Sequence, residues 1–488
     1  MARAQGDPGR YLTKFFDTSK YLSVEDIKGF GRLVVTSPGV GLRLPEPKNY
    51  LGDEGWQGKI VNPTTGSVFA ILNSSFNGGL STMVIPPGRE LNFEYYLAES
   101  GYQVDCDLVN AGATAQEYTS ALTWTTGTPS LNSVAVSTGT MAWQLESCGI
   151  CFFEMDVVWD DGNAGTNFTA TIPLDAPCLN AGMDIPLTGW QIVDGVQSEC
   201  KAYIDAGQAV LENRIIKLRS PATYTNAKGG AIHLRGWYPV HGFSTYATTP
   251  TWGTEDPTSA TTPMLYNIVE GIDGSLTCFG LAQSAGADGN TSSSLTFSLP
   301  VAPVDKNFYV EAVGIQLVNA TYYNPYPLID ESTNTGASRL LGFENFQTHI
   351  NAEAHKESVA FFYEVSGWQS SPPVPVWTGG TADPTTVVDK GRFTVIGSQC
   401  VGAAYITAAD GNGSTGLEFP PPVPPRYSEY VVPVNYMELS NGVMSVPFGY
   451  LDTTQDDPFD RTIKVTDFTT IANAQNGAVT VSWHYRIN

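Results

Sequence analysis

Cysteine, aspartate and histidine are the residues of this chain whose types and spacing could do chemistry. Cys148-Gly-Ile-Cys151 has the spacing of half a zinc knuckle or of a redox pair, and Cys178 and Cys200 could supply two further thiolates. That second pair lacks the short spacing, and Cys151 opens the apolar run Cys151-Phe-Phe-Glu-Met-Asp-Val-Val-Trp159, where a thiol behaves as a small hydrophobe. Buried free cysteines are therefore expected. Asp-rich turns, at Asp160-Asp-Gly-Asn163, Asp194, Asp288-Gly-Asn290, Asp410-Gly-Asn412 and Asp456-Asp-Pro-Phe-Asp460, offer oxygens of the kind Ca2+ collects. None has the EF-hand pattern. Asp160 and Asp161 are the calcium candidates, set against the ordinary turn-forming habit of Asp-Gly and Asn-Gly. Of the five histidines, His233 and His241 lie close together in sequence, where they could make a proton-sensitive contact, and structural placement is the competing reading. Gly-x-Ser-x-Gly is absent and no serine has an activating context, so no catalytic residue is assigned and the chain is not expected to be an enzyme.

The elements that must position these residues read as strands. Charged residues are 15% of the 488, Gly, Pro, Thr, Ser, Asn and aromatics are plentiful, and long Glu/Lys/Ala-rich windows are almost absent, which is an all-β composition. Short apolar runs separated by turn residues point to sandwiches or barrels rather than βαβ units. Leu211 to His241 shows the pattern well: Ile215, Lys217 and Arg219 alternate with Ile216 and Leu218, Asn226-Ala-Lys-Gly-Gly230 tolerates a turn, and alternation resumes at Ile232, Leu234 and Trp237. Trp124, Trp143, Trp159, Trp190 and Trp237 are spread along the strands, as core residues would be, rather than gathered into one sugar-gripping platform. Seven cysteines, an odd number, argue against a disulfide framework, and no apolar run follows Met1 or reaches eighteen residues, so neither a signal peptide nor a membrane span is expected. Along the chain no internal repeat is evident.

The net charge of −23 is unevenly distributed. Basic and acidic residues number 8 and 5 over residues 1–48, 11 and 32 over residues 49–370, and 6 and 11 over residues 371–488. Most of the chain would repel nucleic acid, and only the N-terminal segment is positive. The Pro-rich stretch Trp368-Gln-Ser-Ser-Pro-Pro-Val-Pro375 is the best boundary, because proline removes ladder donors and holds an extended path. A second cluster, Phe419-Pro-Pro-Pro-Val-Pro-Pro425, reads as a loop inside a β domain.

Two segments carry a family resemblance. Leu211 to His241 is similar to a strand pair, and Asn345 to Pro375 to the last strand pair before a Pro-rich exit, of the shell jelly roll in capsid proteins of small non-enveloped RNA viruses, the nodavirus and tetravirus group and the related sinaiviruses. The resemblance implies a jelly-roll β-sandwich shell domain over residues 49–370, an N-terminal arm over 1–48, a Pro-rich hinge over 371–376 and a smaller C-terminal protruding β domain over 377–488. It implies self-assembly of many copies into an icosahedral particle around genomic RNA, made in the host cytoplasm, with the arm (Arg3, Arg10, Lys14, Lys20) facing RNA and the protruding domain meeting a host receptor. That family's Arg-rich tract is missing here. In that family calcium sometimes binds between subunits, which is the context for Asp160 and Asp161, and an autocatalytic cut after an asparagine would suit Asn488, although the local residues do not match. Two alternatives stand beside it: a glycan-cleaving β-sandwich enzyme, and a carbohydrate-binding fibre or adhesin protein.

Overall fold

The computed structural model describes residues from Thr13 to Ile487 apart from several segments, the longest being 23–31, 45–56, 106–115, 132–139, 305–311, 331–339, 381–385, 427–431 and 467–476. Strands make up 62% of the chain, with no α-helix among the described residues, so the all-β reading is borne out. A first sheet of nine strands spans residues 13–105. It mixes directions: Thr13–Phe16 runs parallel to Arg32–Val35, which runs parallel to Gln57–Asn62, and Arg89–Tyr96 then pairs antiparallel.

Beyond residue 115 the chain builds the same sandwich three times, over residues 116–239, 244–366 and 369–486. The second copy shows the plan most simply. Its ten strands in chain order are Ser244–Tyr246, Pro250–Trp252, Thr258–Glu270, Leu276–Asp288, Leu295–Ser298, Ala312–Val318, Thr321–Tyr323, Tyr326–Asp330, Leu340–Glu344 and His355–Ser366. One sheet takes the order first, third, fourth, tenth, sixth, seventh, and the facing sheet takes second, fifth, ninth, eighth. The third copy follows that order strand for strand; so does the first, except that its sixth strand, Asp184–Val193, also pairs with its eighth, Lys201–Asp205, and joins its two sheets into one. Each of these copies has one extra two-residue strand, Val432–Pro433 and Ser130–Leu131. The Pro-rich segment 371–375 carries the chain from Gln369–Ser370 in one sheet of the third sandwich to Val376–Thr378 in the other.

Matching residues occupy matching places. Each fourth strand carries a cysteine, and in the sequence Asp-Gly-Asn begins ten residues later: Cys151 with Asp161, Cys278 with Asp288, and Cys400 with Asp410. The cysteines pair in register with Tyr238, Tyr363 and Tyr485 on the tenth strands. Each tyrosine hydroxyl donates to the carbonyl of Ala176 (2.8 Å), Val301 (2.6 Å) or Val423 (2.7 Å), satisfying a backbone acceptor just after the fifth strand. The chain is thus internally repeated, contrary to the reading from residues alone.

The sixth and seventh strands are joined by a two-residue turn that needs positive φ at both positions. Asp194 and Gly195 supply it in the first sandwich (φ 55° and 77°), Asn319 and Ala320 in the second (φ 46° and 59°). An L-residue in the left-handed region costs about 1–2 kcal/mol, against about 0.4–1 kcal/mol of extra unfolded-state entropy for glycine. Ala320→Gly should therefore raise stability by about 0.5–1 kcal/mol, read from the urea midpoint; a lowered midpoint would contradict it.

An antiparallel sheet usually leaves one face to water, but here the central strands are buried on both. Ile150 to Val157 is buried without interruption, as is Glu357 to Glu364. One face of each larger sheet fills its own sandwich, while the other meets its counterparts. Phe152, Phe279 and Val401, each following the cysteine, and Trp237, Phe362 and His484, each preceding the tyrosine, are all buried in one shared region. Ring centroids lie 5.9 Å apart for Phe152 and Phe279, 5.2 Å for Trp237 and Phe279, 5.1 Å for Phe152 and His484, and 6.4 Å for Phe362 and His484.

The hairpins between third and fourth strands also meet. Asn267 Nδ2 donates to the Cys148 carbonyl (2.9 Å), Glu146 accepts from Ser398, and the Ser275 and Thr394 hydroxyls pair at 2.5 Å. Each sandwich touches both others through equivalent strands and turns, the arrangement of a trimer made within one chain.

Candidate functional site

The residues singled out from sequence fall into turns and cores. Asp161 Oδ1 accepts the Asn163 N–H at 2.9 Å, and Asp288 does the same for Asn290 at 3.0 Å, so the Asp-Gly-Asn motif closes the turn after the fourth strand. That turn accounts for Asp161 without an ion, and Asp160 is exposed. Cys151, Cys178, Cys200, Cys278 and Cys400 are buried free cysteines, and Cys148 is a half-buried one. Burial pushes the thiols of Cys148, Cys151, Cys278 and Cys400 up to about 12, so none is a thiolate at neutral pH. Arg3 and Arg10 lie outside the described residues. Lys14 is half-buried and Lys20 exposed, each holding its ammonium 5.8 Å from the Phe16 ring centroid.

The two nearby histidines are separately housed. His233 Nδ1 lies 2.7 Å from Asp156 Oδ1, with its ring against Trp190. His241 packs beneath Gly149, and burial lowers its pKa to about 4, which keeps it neutral at neutral pH. Trp143, Trp159, Trp190 and Trp237 are buried, and the partly buried Trp124 packs on Phe168 and Tyr224, consistent with core packing. Two further buried carboxylates are held by cations, Asp184 by Lys356 (2.7 Å) and Glu364 by Arg392 (2.8 Å).

Sequence reasoning missed one constellation, in the second sandwich. His355 and Glu357 stand two apart at the start of the tenth strand and so share its inward face, and His349 comes from the preceding loop. His349 Nε2 is 2.7 Å from Glu357 Oε1 and His355 Nδ1 is 3.0 Å from Oε2, so the carboxylate turns one oxygen to each ring. The two imidazoles stack at 4.3 Å, and Trp252 lies 5.4 and 5.6 Å from them. All three side chains are 0% exposed. His349 Nδ1 and His355 Nε2 have no hydrogen-bond partner. The signal available in sequence was His349, His355 and Glu357 within nine residues, although nothing in the alternation of a strand tells which face is sealed.

Glu146 joins the first sandwich to the third. Its Oε1 accepts from the Ser398 N–H (3.2 Å) and hydroxyl (3.0 Å), and Gly397, at φ 58°, leaves the room: a Cβ there would sit 1.8 Å from Oε2. Burial raises the Glu146 pKa above its ordinary 4.5, with the two donated bonds pulling the other way. A carboxyl whose folded pKa is raised contributes its stability fully below the unfolded value, and that contribution is lost as pH rises through the folded value. Glu146→Gln keeps an acceptor for Ser398 and should raise the melting midpoint over wild type at pH 7, the gap closing as pH falls towards 4.5. A gap constant across that range would contradict the assignment.

No protein-family model and no curated protein sequence matches the chain. No helix among the described residues is long and apolar enough to cross a membrane. The fold and the surfaces it presents are what remain to define a role.

Proposed function

We propose that the chain is a structural protein that acts by assembly, the coat subunit of a small icosahedral RNA virus. The observation that carries this reading is the threefold repetition of one sandwich around a shared core. A closed shell must place the same surface in several similar settings, and one chain with three equivalent sandwiches fills three such settings at once. Each sandwich also keeps short outer strands at its sheet margins, which limits uncontrolled edge pairing while leaving loops free for contacts between copies. RNA would be met by the N-terminal segment with Arg3, Arg10, Lys14 and Lys20, and a host surface by the outward loops of the C-terminal sandwich.

The same convergence also favours a second reading, a fibre or adhesin head, in which one chain replaces the usual three. Negative-stain micrographs of concentrated full-length protein separate the two. Closed particles support the coat, and single three-lobed molecules or rods support the head.

A further inference from the structure

We propose that His349, His355 and Glu357 form a structural metal centre that holds one Zn2+ inside the second sandwich. The argument begins with the other sandwiches. In the first, the place of His349 is taken by Tyr224, whose N–H donates to the Gly165 carbonyl (2.8 Å) just as that of His349 donates to Ser292 (2.9 Å). Tyr224 packs at a tilt against Trp159 at 4.4 Å and meets Trp124 edge-on at 5.8 Å, and strand ten begins there with Gly230, which leaves space for the Trp159 ring. In the first sandwich this end is therefore sealed by aromatic rings. In the third, Gly477 and Val479 occupy the strand positions of His355 and Glu357. The second sandwich departs from the pattern by burying three ionisable groups where none is needed for packing.

A carboxylate and two imidazoles sealed from water are stable only if the negative charge is offset. The adjacent Lys356 cannot do this, because its ammonium is held by Asp184 of the first sandwich, 2.7 Å away. A divalent cation can, and unlike a proton on one ring it engages both imidazoles and the carboxylate at once. The three donor atoms lie within 4.8 Å of one another, and two imidazoles with one carboxylate are a zinc-type set rather than the all-oxygen set of Ca2+ or Mg2+. Each ring would present the nitrogen that already faces Glu357 as a lone pair, its proton residing on the other nitrogen. With no solvent exposure the centre is structural. It would pin the loop that carries His349 beneath the Asp288-Gly-Asn290 turn, where a Cβ on Gly289 would come within 2.4 Å of His349 Cβ.

The test uses full-length protein expressed in zinc-supplemented medium and purified without chelator, with metal measured by mass spectrometry and melting followed with and without EDTA. One zinc per chain is expected, with a midpoint several degrees higher than after unfolding and refolding in EDTA, restored when refolding is done with Zn2+. Glu357→Gln, and His349→Tyr copying the first sandwich, should both fold, lose the zinc and melt independently of EDTA. Zinc-free wild type whose midpoint ignores Zn2+ during refolding would overturn the proposal. So would zinc retained at one per chain in both variants, which would place it elsewhere.

Discussion

Phe279→Ala is expected to cost about 3–5 kcal/mol, the range for removing a fully buried phenylalanine from a packed core. Phe279 is 0% exposed, and its ring meets Phe152 and Trp237 of the first sandwich and Phe362 of its own. It faces away from the interior of the second sandwich, since the neighbouring Cys278 occupies that side. If the three sandwiches depend on their shared core, the loss should appear in all three, as one shifted unfolding transition. Phe279→Leu, which keeps most of the volume, should lose much less. Phe15→Ala, at a side chain 65% exposed, should change stability by less than about 0.5 kcal/mol. A loss below about 1 kcal/mol for Phe279→Ala, or a melt that splits with only the second sandwich affected, would mean that the sandwiches are joined without depending on one another.

Much of this fold can be read in the residues, but its repetition hides in plain sight. The strand content followed from composition and alternation, and the turns from Asp-Gly and Asn-Gly. The cysteines and the Asp-Gly-Asn turns were each legible as separate features. Their common spacing, Cys151 to Asp161, Cys278 to Asp288 and Cys400 to Asp410, was the signature of the repeat. It is obscured because so few positions require identity. The cysteine must be small and apolar opposite a tyrosine, whereas the shared core asks only for bulk, so Trp237, Phe362 and His484 serve at one position. Cys148 drew attention to itself as the partner of Cys151, whereas the partner of Cys151 is Tyr238 on the neighbouring strand. The cluster at Glu357 was overlooked for a different reason: one histidine on a loop and a second two residues before a glutamate at the start of a strand look solvated until the sheet above them is known to be closed.

Self-assembly is the other large effect expected. A 52.4 kDa chain should pass from subunit to a closed particle many times that mass. With a net charge of −23, copies repel one another at low ionic strength, and screening shortens that repulsion to about 10 Å at 0.1 M salt. Particle yield should therefore rise with salt, through contacts that need bury only about 1,600 Å2 each because they are repeated around the shell. Negative-stain microscopy of the concentrated full-length protein across a salt series is the most direct measurement. Closed particles of uniform diameter, more numerous as salt increases, are the expected result; separate molecules at every concentration and salt would contradict it.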